Sequence, residues 1–159
     1  MIDIFEFPHV PYWFTVKQGV ILLKSMNVGS KVVHPQVVLV FEEKYNLIGI
    51  LSAKEVLAGL EPRYLSTAKH AQVMEEDESS VALIWDAMFD HNNKELADRP
   101  ISEVMFPATH FLYTEDPLTK AAYMMVHYNL DMLPVIEHNK KLIGIVRISE
   151  IFDELSAGI

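Results

Sequence analysis

The pattern of apolar and polar positions predicts distinct elements most clearly in the last third of the chain. Residues 117–128 place apolar side chains three and four positions apart, which is the spacing of one helix face. Two continuous apolar runs follow at 132–136 and 142–146, and each predicts a buried strand. The polar residues 138–140 between these runs predict a hairpin turn. This part of the chain is therefore predicted to form a helix followed by a two-stranded hairpin.

A second helix and a short first strand complete this unit. Helical spacing returns over residues 149–155, and Ser149 is predicted as the N-cap because its hydroxyl can accept from the unpaired N–H groups of the first turn. Residues 111–113 predict a short strand before the first helix. The predicted order is β-α-β-β-α.

Part of this unit is repeated earlier in the chain. The tetrapeptide Leu-Ile-Gly-Ile stands at 47–50 and again at 142–145, and its flanks match too, since residues 40–57 and 135–152 share seven identities without a gap. A duplicated unit fixes the architecture before any single residue is interpreted. We therefore predict an α/β (α+β) fold that contains two β-α-β-β-α repeats.

The first repeat is less regular than the second. Its helix matches at an offset of 102 residues and its hairpin at 95, so it carries seven extra residues, which we place in a loop around 28–36. Its first strand is predicted within residues 5–10, where Pro8 and Pro11 favour a short edge strand.

The alignment divides the chain into three segments. Residues 1–60 form the first repeat, 61–98 a helical segment inserted between the repeats, and 99–159 the second repeat. In the middle segment, the acidic residues 75–78 precede a predicted helix over 81–89, where their charges favour the helix N-terminus. A solvated acidic face with a helix cap explains this cluster better than a metal site does.

Composition narrows the range of functions. The formal net charge of −9 opposes non-specific binding to nucleic acid and to anionic membranes. The chain has no cysteine, which excludes disulfides and thiol chemistry, and it has no apolar run that is long enough to span a membrane. Because the N-terminus lacks a basic leader, we expect a cytoplasmic protein.

Motifs of enzymatic chemistry are missing from the sequence. It contains no nucleophile elbow, no HExxH and no glycine-rich phosphate loop, and its seven histidines show no spacing typical of metal ligands. We therefore expect neither an enzymatic activity nor a metal site.

The repeated motifs resemble those of tandem CBS (cystathionine-beta-synthase-type) domains, a pair also called a Bateman module. The resemblance rests on residues 47–55 and 142–150, on Leu-Pro-Val at 133–135, and on 101–105, which is similar to the linker into a second repeat. It implies two repeats that pack through their sheets about a pseudo-twofold axis and leave two clefts.

The resemblance also implies a function. Such pairs are regulatory modules that do no chemistry themselves and require no cofactor. The expected effector is an adenosine-containing ligand (AMP, ADP, ATP or S-adenosylmethionine), and the expected partners are a second copy of the chain and an unidentified regulated protein.

In this family, a hydroxyl residue followed three positions later by Asp begins the helix beside a cleft. The first repeat has Ser52, Lys54 and Glu55 at this place, and Lys54 is able to neutralise a phosphate. Serine followed three positions later by Glu is also a capping box, which stabilises a helix without any ligand. Both interpretations stay open.

The second repeat departs further from the family pattern. Arg147 replaces the hydroxyl and Glu150 replaces the Asp, so Arg147 either grips a phosphate or pairs with Glu150. The alternative function is therefore a ligand-free dimerisation or protein-interaction module with degenerate clefts. The other candidate ligand-binding residues border the implied clefts: Val37, Thr109, His110, Asp131, Met132, Pro134 and Ser149.

Overall fold

The computed structural model describes residues 1–25, 37–60 and 93–159. Three predicted features lie outside these ranges: the loop around 28–36, the acidic residues 75–78 and the helix over 81–89. Of the predicted helical segment between the repeats, only its end is described, and it is helical from Asn93 to Asp98.

The described elements of the first half begin with a strand that the sequence did not predict. In chain order they are β1 (Ile2–Asp3), β2 (His9–Pro11), α1 (Val16–Ser25), β3 (Val37–Phe41), β4 (Leu47–Ser52) and α2 (Ala53–Leu60). A short 3₁₀ turn, Ile4–Glu6, separates the first two strands. The strand predicted within 5–10 is β2, which lies at a sheet edge and extends to Pro11.

The second half repeats this order. It comprises α3 (Asn93–Asp98), β5 (Phe106–Pro107), β6 (Leu112–Tyr113), α4 (Leu118–His127), β7 (Met132–Ile136), β8 (Leu142–Arg147) and α5 (Ile148–Ser156). A 3₁₀ turn, Ile101–Glu103, leads into β5. The predicted order of strand, helix, hairpin and helix is confirmed in both repeats.

The strands form two sheets that exchange their edge strands. One sheet has the order β2-β3-β4-β5 and the other β1-β8-β7-β6. The beginning of the second repeat therefore completes the first sheet through β5, and the N-terminal segment completes the second sheet through β1. Each repeat contributes one parallel pair and one antiparallel hairpin.

The two hairpins have the same register and the same irregularity. Val37 pairs with Ser52 in the first hairpin, and Met132 pairs with Arg147 in the second, which preserves the sequence offset of 95 residues. Both hairpins shift register at the end of their first strand. Their turns also agree, since Tyr45 and Lys140 have φ values of 64° and 65°.

Apolar side chains between the two sheets join the repeats. Buried residues from both sheets form this inner core, among them Leu39, Ile50, Ile136 and Ile145. The helices cover the outer faces: α4 and α5 pack through Met125 and Ile151 on one sheet, and α1 packs through Leu23 on the other. The fold is thus two sheets packed face to face with helices on both outer faces. The two repeats pack through their sheets, as the family resemblance implied.

One helix start differs from the prediction. Helix α5 begins at Ile148 with Arg147 as its N-cap, so the prediction that Ser149 caps the helix is wrong. The Ile148 N–H donates to the Asp131 carbonyl at 2.8 Å, and the Arg147 N–H donates to the Glu150 carboxylate at 3.0 Å. These two bonds fix the first turn, and Ser149 lies inside it with an exposed side chain.

Candidate ligand-binding cleft

A cleft lies where the first repeat faces the second. Its volume is about 620 Å³, part of which is open to solvent. One wall comes from the end of β4 and the first turn of α2, the opposite wall from the loop before β7 and the start of that strand, and the floor from the segment after β5. A molecule bound here would contact both repeats.

Most of the predicted ligand-binding residues line this cleft. They are Ser52, Lys54, Glu55, Thr109, His110, Asp131, Met132 and Pro134. They meet because the helix start that follows the first hairpin lies opposite the strand start of the second hairpin.

The first turn of α2 carries the Glu55 half of a capping box. The Ser52 N–H donates to Glu55 Oε2 at 2.9 Å, the Ser52 hydroxyl donates to the same carboxylate oxygen, and the Lys54 N–H donates to the Ser52 hydroxyl oxygen at 3.3 Å. The carboxylate therefore turns back onto the start of its own helix. These contacts are those of a helix cap, and the ligand-binding interpretation of this motif stays a prediction.

The imidazole of His110 is held at the floor of the cleft. Its ring packs against the Tyr128 ring with centroids 4.0 Å apart, and Nδ1 lies 3.0 Å from the Thr109 hydroxyl oxygen. The side chain is half-buried. A planar ring fixed in this way offers a face for stacking and a nitrogen for hydrogen bonding.

The opposite wall is apolar except at its rim. Leu133 and Pro134 are buried, Met132 is half-buried, and the carboxylate of Asp131 is exposed at the edge. The backbone of Asp131 is fixed, since its carbonyl accepts from Ile148 at the start of α5. The wall therefore combines a flat apolar surface with one carboxylate acceptor.

Charged groups in the cleft are mainly acidic. Among the described residues that line it, Lys54 is the only lysine or arginine, whereas two residues, Glu55 and Asp131, carry carboxylates. The charge of the cleft lining is therefore negative, like the net charge of −9 for the whole chain.

The remaining predicted residues lie elsewhere. Val37 is buried between the sheets, with an exposed fraction of 1%. Arg147, Ser149 and Glu150 are absent from the lining of this cleft and occupy the corresponding place in the second repeat. At the offset of 95 residues, the segment that matches 129–134 is 34–39, and residues 34–36 are outside the described ranges.

In the second repeat, Glu150 accepts the corresponding hydrogen bond from the N-cap N–H of its own helix and makes a further contact. Glu150 Oε1 accepts from the Met1 ammonium at 2.8 Å, and Oε2 accepts from the Arg147 N–H at 3.0 Å. Arg147 Nε lies 3.5 Å from Oε2 and has no hydrogen-bond partner among the described residues, although it is buried. Of the two interpretations of Arg147, pairing with Glu150 is the one that the described contacts favour.

The titration of Glu150 reflects these neighbours. Burial alone would raise the pKa of the carboxyl, but hydrogen bonds from the Met1 ammonium and the Arg147 N–H, together with the positive charges of both residues, lower it below its usual value.

Several cleft residues were not predicted from the sequence. Phe106, Ala108, Asn129 and Leu130 contribute to the lining together with Ile50. Asn129 has a φ of 53° directly after α4, a conformation that asparagine adopts more readily than most residues. An asparagine directly after the predicted helix is the sequence signal that could have marked this turn.

The described residues contain neither a cluster of metal ligands nor a membrane-spanning helix. No group of three or more histidine, aspartate or glutamate side chains is placed to hold a metal ion in the part of the chain that the structure describes. Within the same ranges, no helix combines the length and apolar character needed to cross a membrane.

Comparison with protein families identifies the second repeat. Residues 101–157 match the CBS domain model, which covers nearly the whole of the predicted second repeat. No curated protein sequence gives a significant match to the chain.

Solved structures with the same fold cover both repeats. A CBS domain-containing protein of unknown function from Bacillus anthracis aligns over 100% of this chain and 91% of its own, at 16% identity and a TM-score of 0.66. CBSX2 in complex with AMP aligns over 99% and 92%, at 16% identity and 0.60. The cytosolic domain of the Mg²⁺ channel MgtE in complex with ATP aligns over 94% of this chain but 45% of its own, at 19% identity and 0.58.

These findings define the class of protein. The second repeat is a CBS domain, and the whole chain has the fold of proteins that carry two such domains. The chain therefore has the fold of a tandem CBS module, which the repeated motifs had indicated.

Proposed function

We propose that this protein is a non-enzymatic regulatory module that binds an adenosine-containing ligand in the cleft described above. The observation that carries the proposal is that both repeats line one cleft. A ligand there contacts both walls and stabilises the arrangement of the repeats that it fits best. A partner protein that recognises this arrangement would then report ligand occupancy.

The chemistry of the walls suits an adenosine compound. Met132, Leu133 and Pro134 offer an apolar surface for the adenine, and the His110 ring offers a second flat face. The Asp131 carboxylate at the rim is suited to accept hydrogen bonds from the ribose hydroxyls. AMP and ATP are present in the CBSX2 and MgtE structures, respectively, which have this fold.

Signalling through a homodimer belongs to the same proposal. Equivalent helix positions in the two repeats carry exposed apolar side chains: Ile21 and Tyr123 on α1 and α4, exposed by 58% and 63%, and Leu57 and Phe152 on α2 and α5, exposed by 62% and 67%. Such a repeated apolar surface on both helix layers is typical of an interface. We propose that a second copy of the chain covers it.

The proposal includes the absence of catalysis. The Thr109 hydroxyl contacts His110, but no carboxylate is hydrogen-bonded to that imidazole among the described residues. A hydroxyl nucleophile needs a base that is itself oriented by a third group. The Tyr128 ring packs against the imidazole instead, which suits a binding role.

Isothermal titration calorimetry with AMP, ADP, ATP and S-adenosylmethionine tests the proposal. We expect at least one of them to bind with one site per chain, and a ligand at a hundred times its dissociation constant should stabilise the protein by about 2.7 kcal/mol. Thr109→Trp fills the cleft from its exposed floor and should abolish binding. Thr119→Trp makes the same change on an exposed position of α4 and should leave binding intact.

One observation favours a second function. The Ser52 N–H and hydroxyl already donate to the Glu55 carboxylate, so these groups need no ligand to complete their hydrogen bonds. A ligand-free dimerisation or protein-interaction module predicts no heat with any of the four compounds and a dimer that forms regardless of them.

A further inference from the structure

The carboxylate of Glu55 accepts hydrogen bonds at the start of α2 that an anion bound there would otherwise accept. The N-terminus of a helix attracts anions because its first N–H groups lack partners within the helix. At the start of α2, the Ser52 N–H and the Ser52 hydroxyl both donate to Glu55, and the Lys54 N–H donates to the Ser52 oxygen. The protein therefore supplies its own anion at this point.

The rest of the cleft strengthens this effect. Asp131 presents a second carboxylate from the opposite wall, while Lys54 is the only lysine or arginine among the described lining residues. A triphosphate brought into the cleft would meet two negative groups and one positive group, and it would compete with Glu55 for the helix N-terminus. A cationic group in the same place would be attracted by the two carboxylates, and a neutral group would avoid their repulsion.

We infer that the cleft selects adenosine compounds whose 5′ substituent is neutral or positively charged, such as adenosine or S-adenosylmethionine, over adenine nucleotides. Glu55 is the residue that sets this selectivity, because it occupies the anion position of α2. The inference rests on the proposed function and narrows its ligand class. It does not follow from the neighbouring structures, which were solved with AMP and ATP.

A comparison of four ligands by calorimetry in magnesium-free buffer tests the selectivity. We expect S-adenosylmethionine and adenosine to bind more tightly than AMP, and ATP to bind about tenfold more weakly than adenosine, because each phosphate adds repulsion from Glu55 and Asp131. ATP binding as tightly as adenosine, or more tightly, overturns the inference and leaves the proposed function standing. No binding of any of the four compounds overturns both.

Glu55→Gln tests the assigned residue directly. Glutamine keeps this half of the capping box, because its side-chain oxygen still accepts from the Ser52 N–H, but it removes the charge. We expect ATP to bind about tenfold more tightly to this variant, while adenosine changes by less than about twofold. An unchanged ratio of the two dissociation constants contradicts the role of Glu55.

A matched control separates the local charge from the net charge of the chain. Glu154→Gln removes one negative charge on an exposed position of α5, outside the lining of the cleft. This variant should retain the wild-type ratio of ATP to adenosine affinity. A change as large as that of Glu55→Gln would mean that overall charge governs the selectivity, and it would overturn the inference.

Discussion

Gly49 and Gly144 occupy equivalent positions in the two hairpins, and each pairs with an edge strand that comes from elsewhere in the chain. Gly49 lies opposite Val40 and also pairs with Pro107 of β5. Gly144 lies opposite Val135 and pairs with Asp3 of β1. The exchanged edge strands thus approach the two sheets at corresponding points. A side chain at Gly144 would obstruct β1 directly, whereas one at Gly49 would meet the Met105 side chain.

Alanine at Gly144 should destabilise the protein more than alanine at Gly49. A Cβ at Gly144 would lie 2.5 Å from the Ile2 carbonyl oxygen, which is backbone, whereas at Gly49 it would meet the flexible end of Met105. We expect Gly144→Ala to lower the free energy of unfolding by about 1–3 kcal/mol in urea titrations, the range that overpacking produces.

Gly158→Ala provides the control for this comparison. No atom lies within 4 Å of a Cβ at that position, so its free energy of unfolding should change by less than about 0.5 kcal/mol. Equal stability of Gly144→Ala and the wild type would show that β1 does not pack on β8 as described.

Removal of the hydroxyl at Ser52 should cost more than removal of the one at Ser149. Ser52→Ala loses the N-cap of α2, and we expect a loss of about 1 kcal/mol in the free energy of unfolding. Ser149 lies inside the first turn of α5 with an exposed side chain, so Ser149→Ala should change stability by less than about 0.5 kcal/mol. A larger loss of unfolding free energy for Ser149→Ala than for Ser52→Ala would indicate that Ser149 is the N-cap of α5 after all.

Acid should weaken the contribution of Glu150 to stability. Its pKa in the folded protein is lower than the unfolded value of 4.5, so its stabilising effect is fully present above that value and is lost as the pH falls through the folded pKa. The free energy of unfolding of the wild type should therefore exceed that of Glu150→Gln at pH 7, and this difference should shrink towards pH 3.

Salt provides a second test of the same group. The side chain of Glu150 is 26% exposed, so screening by added salt should reduce the difference between wild type and Glu150→Gln at pH 7. A difference that is insensitive to both pH and salt would argue against an ionic role for this carboxylate.

Charge on the helix layers should prevent dimerisation without unfolding the chain. Tyr123→Asp and Phe152→Asp place a carboxylate in the repeated apolar surface, and sedimentation should show a shift from dimer to monomer with an unchanged circular dichroism spectrum. Phe5→Asp alters an apolar residue that is 86% exposed but lies on neither helix layer, and it should remain dimeric. A wild-type protein that sediments as a monomer at all concentrations would contradict the proposed homodimer.

The sequence predicted the hairpins and the helices well because their signal is local and duplicated. The apolar runs at 132–136 and 142–146 correspond to β7 and β8 within one residue, and the turn at Lys140 matches the one at Tyr45. It did not predict β1 and β5, because strands of two residues have no periodicity, and the sheet that each one joins depends on contacts distant in sequence.

The same distinction holds for the cleft. Ser52, Glu55 and Asp131 were predicted because the family motif and the repeat place them at element ends, whereas Phe106 and Ala108 reach the cleft through the exchange of β5. The N-cap of α5 was predicted wrongly because serine has a strong local preference for that position. The carbonyl of Asp131 and the carboxylate of Glu150 instead fix the helix start two residues earlier.

The central claim is that one ligand contacts both repeats in this cleft. A ¹H–¹⁵N correlation titration of the full chain with S-adenosylmethionine tests it most directly. We predict that the backbone amides of Ser52 and Glu55 in the first repeat and of His110 and Met132 in the second shift together and saturate with one dissociation constant. Shifts confined to one repeat, or none at all with adenosine, AMP and ATP tested in turn, would contradict it.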